Sequence, residues 1–427
     1  MRAWRARAVV GIVAASVGVA CSHPAPPPAP GASVPNGLAP TAVTVPAALA
    51  AAPLDTPRDA LLPSGWSMSV WARIPHARLA IWAPDATLLV SVPAEGRVSR
   101  LVPGPAGPTV STLLEGLNQP HGLSFAGDTL YVAEADQIVG YTYADGRAAD
   151  RRVLAAGLPD ARSPELGGAY AHALKSVAVG PDGAVYFSIG STGNVSAADR
   201  TANPQRATIM RIPPGGGPAI PFATGVRNGT GLAVAPDGSL WTAVNNRDDI
   251  AYPHPGPSYG AVNDYVNDHP PETLARVTPG RELGWPYCNP DVDAGPRFIR
   301  DVQTNADGEH LDCATLTPVE QTLGAHSAPL GLAFANLPRP FGPGALLGVH
   351  GSWNRNPPRA PEVSFFGWRD GTLGPQQTLV GGFQTPDGAR WGRPVAAVPG
   401  PDGAVYVTDD YAGAVYRVAP PGGTGNS

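Results

Sequence analysis

Histidine, arginine and asparagine stand at matched distances ahead of a repeated aspartate. His172 lies ten residues before Asp182 and Arg227 ten before Asp237, while His76 and Arg393 lie nine before Asp85 and Asp402, and His121 seven before Asp128. Asn228 and Lys175 stand beside these positions, and His326 opens a similar segment further on. Imidazole is the side chain that can take a proton near neutral pH. Guanidinium groups brought together repel one another unless an anion answers them. If the fold gathers these residues, the chemistry is proton abstraction beside a bound anion. Taken singly, each histidine reads better as the polar lining of a water-filled channel. Trp353, Trp391 and the Gly284-Trp285-Pro286 turn add aromatic surface to such a pocket.

The aspartates belong to a repeat: an apolar strand, a turn of the Pro-Asp-Gly kind, then a second apolar strand. Clear copies are Val177–Gly190, Leu232–Val244 and Val395–Asp409; weaker ones are Leu79–Val92 and Leu123–Glu134, and Leu332–Ser352 has a longer turn. Turns at Asp85, Asp128, Asp182, Asp237, Pro343 and Asp402 are 43, 54, 55, 106 and 59 residues apart, near the ~40–50 per blade of propeller repeats. One hairpin cannot bury both its faces, whereas radially stacked sheets bury all of them. The predicted fold is therefore an all-β, six-bladed β-propeller. In a propeller, residues just before each innermost strand meet at one channel mouth, which is where the matched polar positions fall. The long interval reads as an excursion on one face, with a hidden seventh blade as the competing reading.

The chain has 427 residues, 43% hydrophobic and 15% charged, with 52 Gly and 51 Pro, which suits a turn-rich globular domain. Its net charge is −5 and Lys175 is its one lysine, so no basic face exists for nucleic acid. Arg2, Arg5 and Arg7 followed by the apolar stretch Ala8–Ala20 predict a signal peptide over 1–21, too short to span a bilayer. Cys21 is the candidate lipidation site, with ordinary cleavage nearby as the alternative. Residues 22–56 are rich in Pro and Ala and are expected to form an extended tether. The propeller is predicted over 57–420 and a frayed tail over 421–427. In an exported chain, periplasmic or held in the cell envelope, Cys288 and Cys313 favour a disulfide stapling the excursion over a metal site. Membrane contact is expected only through a lipid on Cys21.

Five segments, in order, resemble the soluble quinoprotein sugar dehydrogenases, the sorbosone and aldose sugar dehydrogenase relatives that use pyrroloquinoline quinone (PQQ) with calcium. They are PHARLAIWAPDATLLVSVPAEGRVSRL, AHALKSVAVGPDGAVYFSIGSTGN, ATGVRNGTGLAVAPDGSLW, LGWP and RWGRPVAAVPGPDGAVYVTD. The resemblance runs from about Leu62 to Val418 and implies that His172 is the general base, with Arg227 assisting catalysis and Asn228 contacting the quinone. It places Arg390, Arg393, Arg355 and His76 on the cofactor, and Asn245, Asn246, Arg247 and Asp249 around calcium. The chain departs from the family at that loop, where Asn-Asn-Arg replaces a Gly-Pro pair.

The activity this implies is oxidation of an aldose, or a related alcohol or aldehyde hydrate, to the lactone or acid, with an external electron acceptor. A propeller alone does not set function, and two other readings stay open. One is a calcium-dependent sugar-lactone hydrolase using Glu134 and Asp248 or Asp249 as ligands. The other is a non-catalytic envelope recognition propeller.

Overall fold

The computed structural model describes residues 37–168, 170–293 and 297–422. The expected signal peptide, Cys21 and the end of the expected tail lie outside these residues. Six mainly antiparallel sheets form the blades of a β-propeller. The described residues contain strands and short 3-10 turns but no α-helix, and no helix among them is long and apolar enough to cross a membrane.

Each predicted hairpin supplies the two inner strands of one blade. The innermost strands are Ala80–Trp82, Leu123–Ala126, Val177–Val179, Gly229–Val234, Pro329–Leu337 and Pro394–Pro399, for blades 1 to 6 in that order. In the three Pro-Asp-Gly turns the aspartate Oδ1 accepts the N–H of Ala184, Ser239 or Ala404 at 3.0, 2.9 and 3.2 Å. The glycine after each aspartate has φ of 82°, 83° or 79°, a region that favours a residue without Cβ. These turns close the hairpins through contacts local in the chain.

Buried apolar residues pack between adjacent blades. Trp241 of blade 4 and Phe366 of blade 5 share one such cluster, and Leu89 of blade 1 and Tyr141 of blade 2 another. Around the axis the six inner strands leave only about 50 Å³, lined by side chains such as Leu123, Val177, Leu232 and Leu332. That volume holds a water or two. The polar residues at its end therefore cap a nearly closed apolar axis instead of lining a wet channel.

One feature corrects the expected domain limits. The stretch read as tether contains the strand Leu38–Thr44, which pairs antiparallel with Asp59–Pro63 and parallel with Ser67–Arg73. A composition of Pro and Ala does not prevent this, because the strand lies near the edge of its sheet, where few backbone donors are required. Ser67–Arg73 in turn pairs with Ala414–Ala419 and completes blade 6, so the start of the folded chain closes the ring. The excursion is not a seventh blade. It supplies the outer strands Glu272–Val277 and Gln321–Leu323 of blade 4, the edge Arg281–Glu282 on blade 3, and the small hairpin Cys288–Pro290 with Phe298–Arg300. Cys288 and Cys313 are joined as a disulfide.

Candidate functional site

The residues that precede the inner strands do meet at one end of the propeller. On blade 3, His172 Nδ1 lies 3.0 Å from Ser191 O and 2.9 Å from Ser191 Oγ. Ser191 Oγ donates its own proton to Gly193 O at 2.7 Å, so both serine oxygens act as acceptors. The imidazole proton then belongs on Nδ1, and Nε2 keeps its lone pair. Burial, reinforced by the neighbouring Arg227 guanidinium, pushes the His172 pKa down to about 3. Like-charge repulsion from Arg227 was the expected cause; desolvation is the larger one. Gly190 makes room for the ring, since a Cβ there would lie 2.6 Å from His172 Cβ and 3.3 Å from Asn228 Oδ1. Asn228 is thus placed beside the histidine.

Arg227 is connected to His172 through Ser191, whose N–H donates to Arg227 O at 2.7 Å. Its guanidinium is buried and donates to Asn245 O at 3.2 Å, Asn246 O at 2.7 Å, Asn194 O at 3.3 Å and Asn194 Oδ1 at 3.1 Å. Asp248 lies 3.5 Å away and also meets His326 Nδ1 at 3.1 Å. Burial raises the Asp248 pKa, but His326 and Arg227 outweigh it and hold the carboxyl below its ordinary value. His326 Nε2 donates to Val266 O at 2.6 Å, so this histidine braces the loop after blade 4 and does not face substrate. Asn194 was missed in the sequence. It also binds the Asp248 N–H and carbonyl and takes the buried Trp285 Nε1–H at 3.1 Å on its carbonyl.

The loop predicted to hold calcium does not fit that ion as it is arranged. The carbonyls of Asn245 and Asn246 accept from Arg227. The Arg247 side chain turns to Asp301 and Gln303 and donates to Asp249 O, and the Asp249 side chain is exposed at a residue with φ of 54°. A hard dication needs several free oxygen donors, and here two guanidinium groups already occupy the main-chain oxygens of Asn245, Asn246 and Asp249. Glu134, the carboxylate of the hydrolase reading, is likewise committed, accepting from Asn118 N–H and Gln137 Nε2.

Across the mouth, blades 5, 6 and 1 contribute cations. Arg393 donates from Nε to His350 O at 2.9 Å and from Nη2 to Gly351 O at 3.2 Å. Arg390 donates to Gln384 Oε1 at 2.9 Å and to Ser352 O. Neither has a carboxylate in ion-pair range among the described residues, and Nη1 of each has no protein partner there. Arg78, which the sequence reading passed over although it is two residues after His76, pairs with Asp410 at 2.7 Å and leaves Nε buried without a partner. Asp410 also takes the Nε2–H of His350 at 2.7 Å. His76, Arg78, Gln119, Leu174 and Asp410 line a cavity of about 430 Å³.

Other expected members of the ring are structural. Arg355 donates to Asn267 O at 2.7 Å and pairs with Asp268 at 2.6 Å, so it ties two loops together and is not free to hold a cofactor. Its long side chain reaches a partner that sequence distance concealed. Lys175 is fully buried, with Nζ on the carbonyls of Ala135, Pro159 and Ala173, and burial lowers its pKa to about 7. His121 is buried with Nε2 unpartnered and is pushed down to about 3, chiefly by desolvation. Trp391 and Trp285 are core residues, whereas Trp353 is 76% exposed.

A family model described as TrAA12-like matches residues 61–420. The holo form of the pyranose dehydrogenase PQQ domain from Coprinopsis cinerea superposes with a TM-score of 0.72 at 18% identity, covering 88% of this chain and 98% of that one. The calcium structure of Trichoderma reesei Carbohydrate-Active Enzymes Family AA12 gives 0.68 at 19%, covering 84% and 96%. The PQQ-bound aldose sugar dehydrogenase from Streptomyces coelicolor gives 0.53 at 15%, covering 84% and 100%. At these identities the likeness is one of fold. An uncharacterized protein of Borreliella burgdorferi is 26% identical over 203 residues, which are 46% of this chain and 48% of that protein; the match thus spans about half of the relative's length.

Proposed function

Because the chain belongs to the TrAA12-like family, we propose that it is an oxidoreductase that oxidises a small sugar, or a related alcohol or aldehyde hydrate, with PQQ as its redox group. One arrangement carries this reading: a neutral imidazole with Nε2 free, at the same propeller end as two arginines, Arg390 and Arg393, that have no carboxylate within ion-pair distance among the described residues. The names of the pyranose dehydrogenase PQQ domain and the PQQ-bound aldose sugar dehydrogenase support the choice of cofactor.

PQQ carries three carboxylates, and the residues present fit it. Arg393 and Arg390 each keep Nη1 uncommitted, and Arg78, whose buried Nε lacks a partner, lines a cavity with the exposed His76. These four would hold the carboxylates, the arginines by charge-assisted hydrogen bonds. When bound, PQQ supplies a quinone carbon able to take up hydride. His172 Nε2 accepts the substrate hydroxyl proton, so proton and hydride leave together and the lactone or acid is the product. Arg227 places positive charge beside the reacting centre, and Asn228 positions the group facing His172. Calcium is not part of this reading, since Arg227 and Arg247 take the main-chain oxygens of Asn245, Asn246 and Asp249. An external acceptor then removes the electrons. The leader over 1–21 and the candidate lipid on Cys21 rest on sequence, and they make the periplasm or cell envelope the compartment.

His172→Gln tests the proposal. Turnover of aldoses by PQQ-loaded protein should fall by about 10²–10⁴-fold, while an absorbance titration with PQQ keeps its midpoint. Full activity in the variant removes the base from the mechanism, and no PQQ uptake by the parent protein removes the cofactor.

A further inference from the structure

The excursion after blade 4 holds a second cluster, away from the residues used above. His269 is 8% exposed, and its Nδ1–H donates to Tyr265 O at 3.0 Å. That bond leaves the lone pair on Nε2, which lies 3.2 Å from Asp293 Oδ1. A lone pair facing a carboxylate is repulsive unless a proton or a cation stands between them. His254 Nε2 approaches the same carboxylate, 3.8 Å from Oδ2. Asp291 is 1% exposed; its Oδ1 takes the Asp293 N–H at 3.0 Å, and its Oδ2 is buried with no partner. A buried carboxylate oxygen without a hydrogen bond is costly and asks for a ligand. The ligand atoms of His269, Asp291 and Asp293 all lie within 4.8 Å of one another.

We infer that His254, His269, Asp291 and Asp293 form a site for a transition-type divalent cation, with Zn²⁺ the best match. Two imidazoles and two carboxylates are a borderline donor set suited to zinc, whereas calcium takes six to eight oxygens. Tetrahedral zinc at ~2.0–2.1 Å from each donor spaces its ligands by about 3.3 Å; His269 Nε2 stands 3.2 Å from Asp293 Oδ1, and His254 Nε2 3.8 Å from the other oxygen, Oδ2. The Tyr265 carbonyl orients His269 from behind, as outer partners of metal-bound histidines do, and the Tyr265 ring stacks on the imidazole at 3.7 Å. Bound metal would pin the loop around 254 to the hairpin at 291–293. The 3-10 turn Asp264–Asn267 lies between His254 and His269 in the chain, and its Val266 O holds His326, so the site braces the scaffold behind Arg227.

Zn²⁺ alone decides the matter. The full chain, stripped with chelator and desalted, should bind one equivalent by calorimetry, and Co²⁺ in its place should show the visible absorption of a four-coordinate ion. Zinc at 100 times its Kd should raise Tm by about 3 °C. His254→Ala and Asp293→Asn, both on partly exposed side chains, should each weaken binding at least tenfold with an unchanged circular dichroism spectrum. Failure of the parent chain to bind zinc would mean an imidazolium–carboxylate pair and overturn the proposal. Binding indifferent to both substitutions would place the metal elsewhere and overturn it equally. Neither result depends on PQQ or turnover, so this site and the redox reading fail separately.

Discussion

At the scale of single residues, the chemistry turns on which hydrogen-bonding atoms remain uncommitted. His172 and Arg227 are linked by Ser191, yet only His172 keeps a free acceptor; Arg227 spends its donors on Asn194, Asn245 and Asn246. Arg393 differs, because its Nη1 has no protein partner and no carboxylate stands within ion-pair distance of it among the described residues. Arg393→Ala should weaken PQQ binding by about 10–100-fold, the range for a lost hydrogen bond to a charged group, while kcat at saturating PQQ changes little. A PQQ titration of the variant measures this, and an unchanged midpoint would move the cofactor away from blade 6. His172, Arg227, Arg393 and Asn228 were legible from their spacing to the turn aspartates. Asn194, Arg78 and Asp410 were not, because their value lies in partners supplied by other blades.

At the scale of elements, the Pro-Asp-Gly hairpin is the unit that places each polar residue, and small residues decide how near it comes. The strand Val185–Ile189 runs directly into Gly190, whose missing Cβ leaves the space for His172. Gly190→Ala should therefore displace the imidazole and cut turnover about tenfold or more, since misplacement by ~1 Å can cost that much, while PQQ still binds. Wild-type turnover in that variant would show that the ring tolerates the shift. The excursion, in contrast, was legible only as a long irregular segment. Its cysteine pair was expected, but its strands join blades 3 and 4 by pairings set at long range. Nothing in the local pattern announces such pairings, because short strands such as Arg281–Glu282 carry almost no periodic signal.

At the scale of the whole molecule, closing the ring buries groups that would rather be charged. His121 and His172 are lowered to about 3 and His350 to about 4, in each case chiefly by burial. Their unfolded value is near 6.5, so below that pH the unfolded chain binds protons that the folded one refuses. The stability these histidines contribute is complete above pH 6.5 and falls as pH drops toward 4, by up to about 1.4 kcal/mol per pH unit for each; Glu272 and Asp409, whose pKa burial raises to about 8 and about 6, oppose it over the same range. Because three imidazoles outnumber these two carboxyls, calorimetric Tm should still decline over pH 6.5–4.5, and a Tm that rises as pH falls through that range would show the imidazoles protonated in the fold. Ring closure also explains where reading the chain stopped. The sequence by itself determined the hairpins, their number and the residues set before each inner strand, because turn chemistry and alternation are local. Only the tertiary structure decided that Leu38–Thr44 and Ser67–Arg73 join the last blade, that Arg355 and Lys175 are structural, and that Arg227 occupies two of the carbonyl oxygens expected for calcium. Those outcomes depend on which donor meets which acceptor across the ring, and distance along the chain does not encode that.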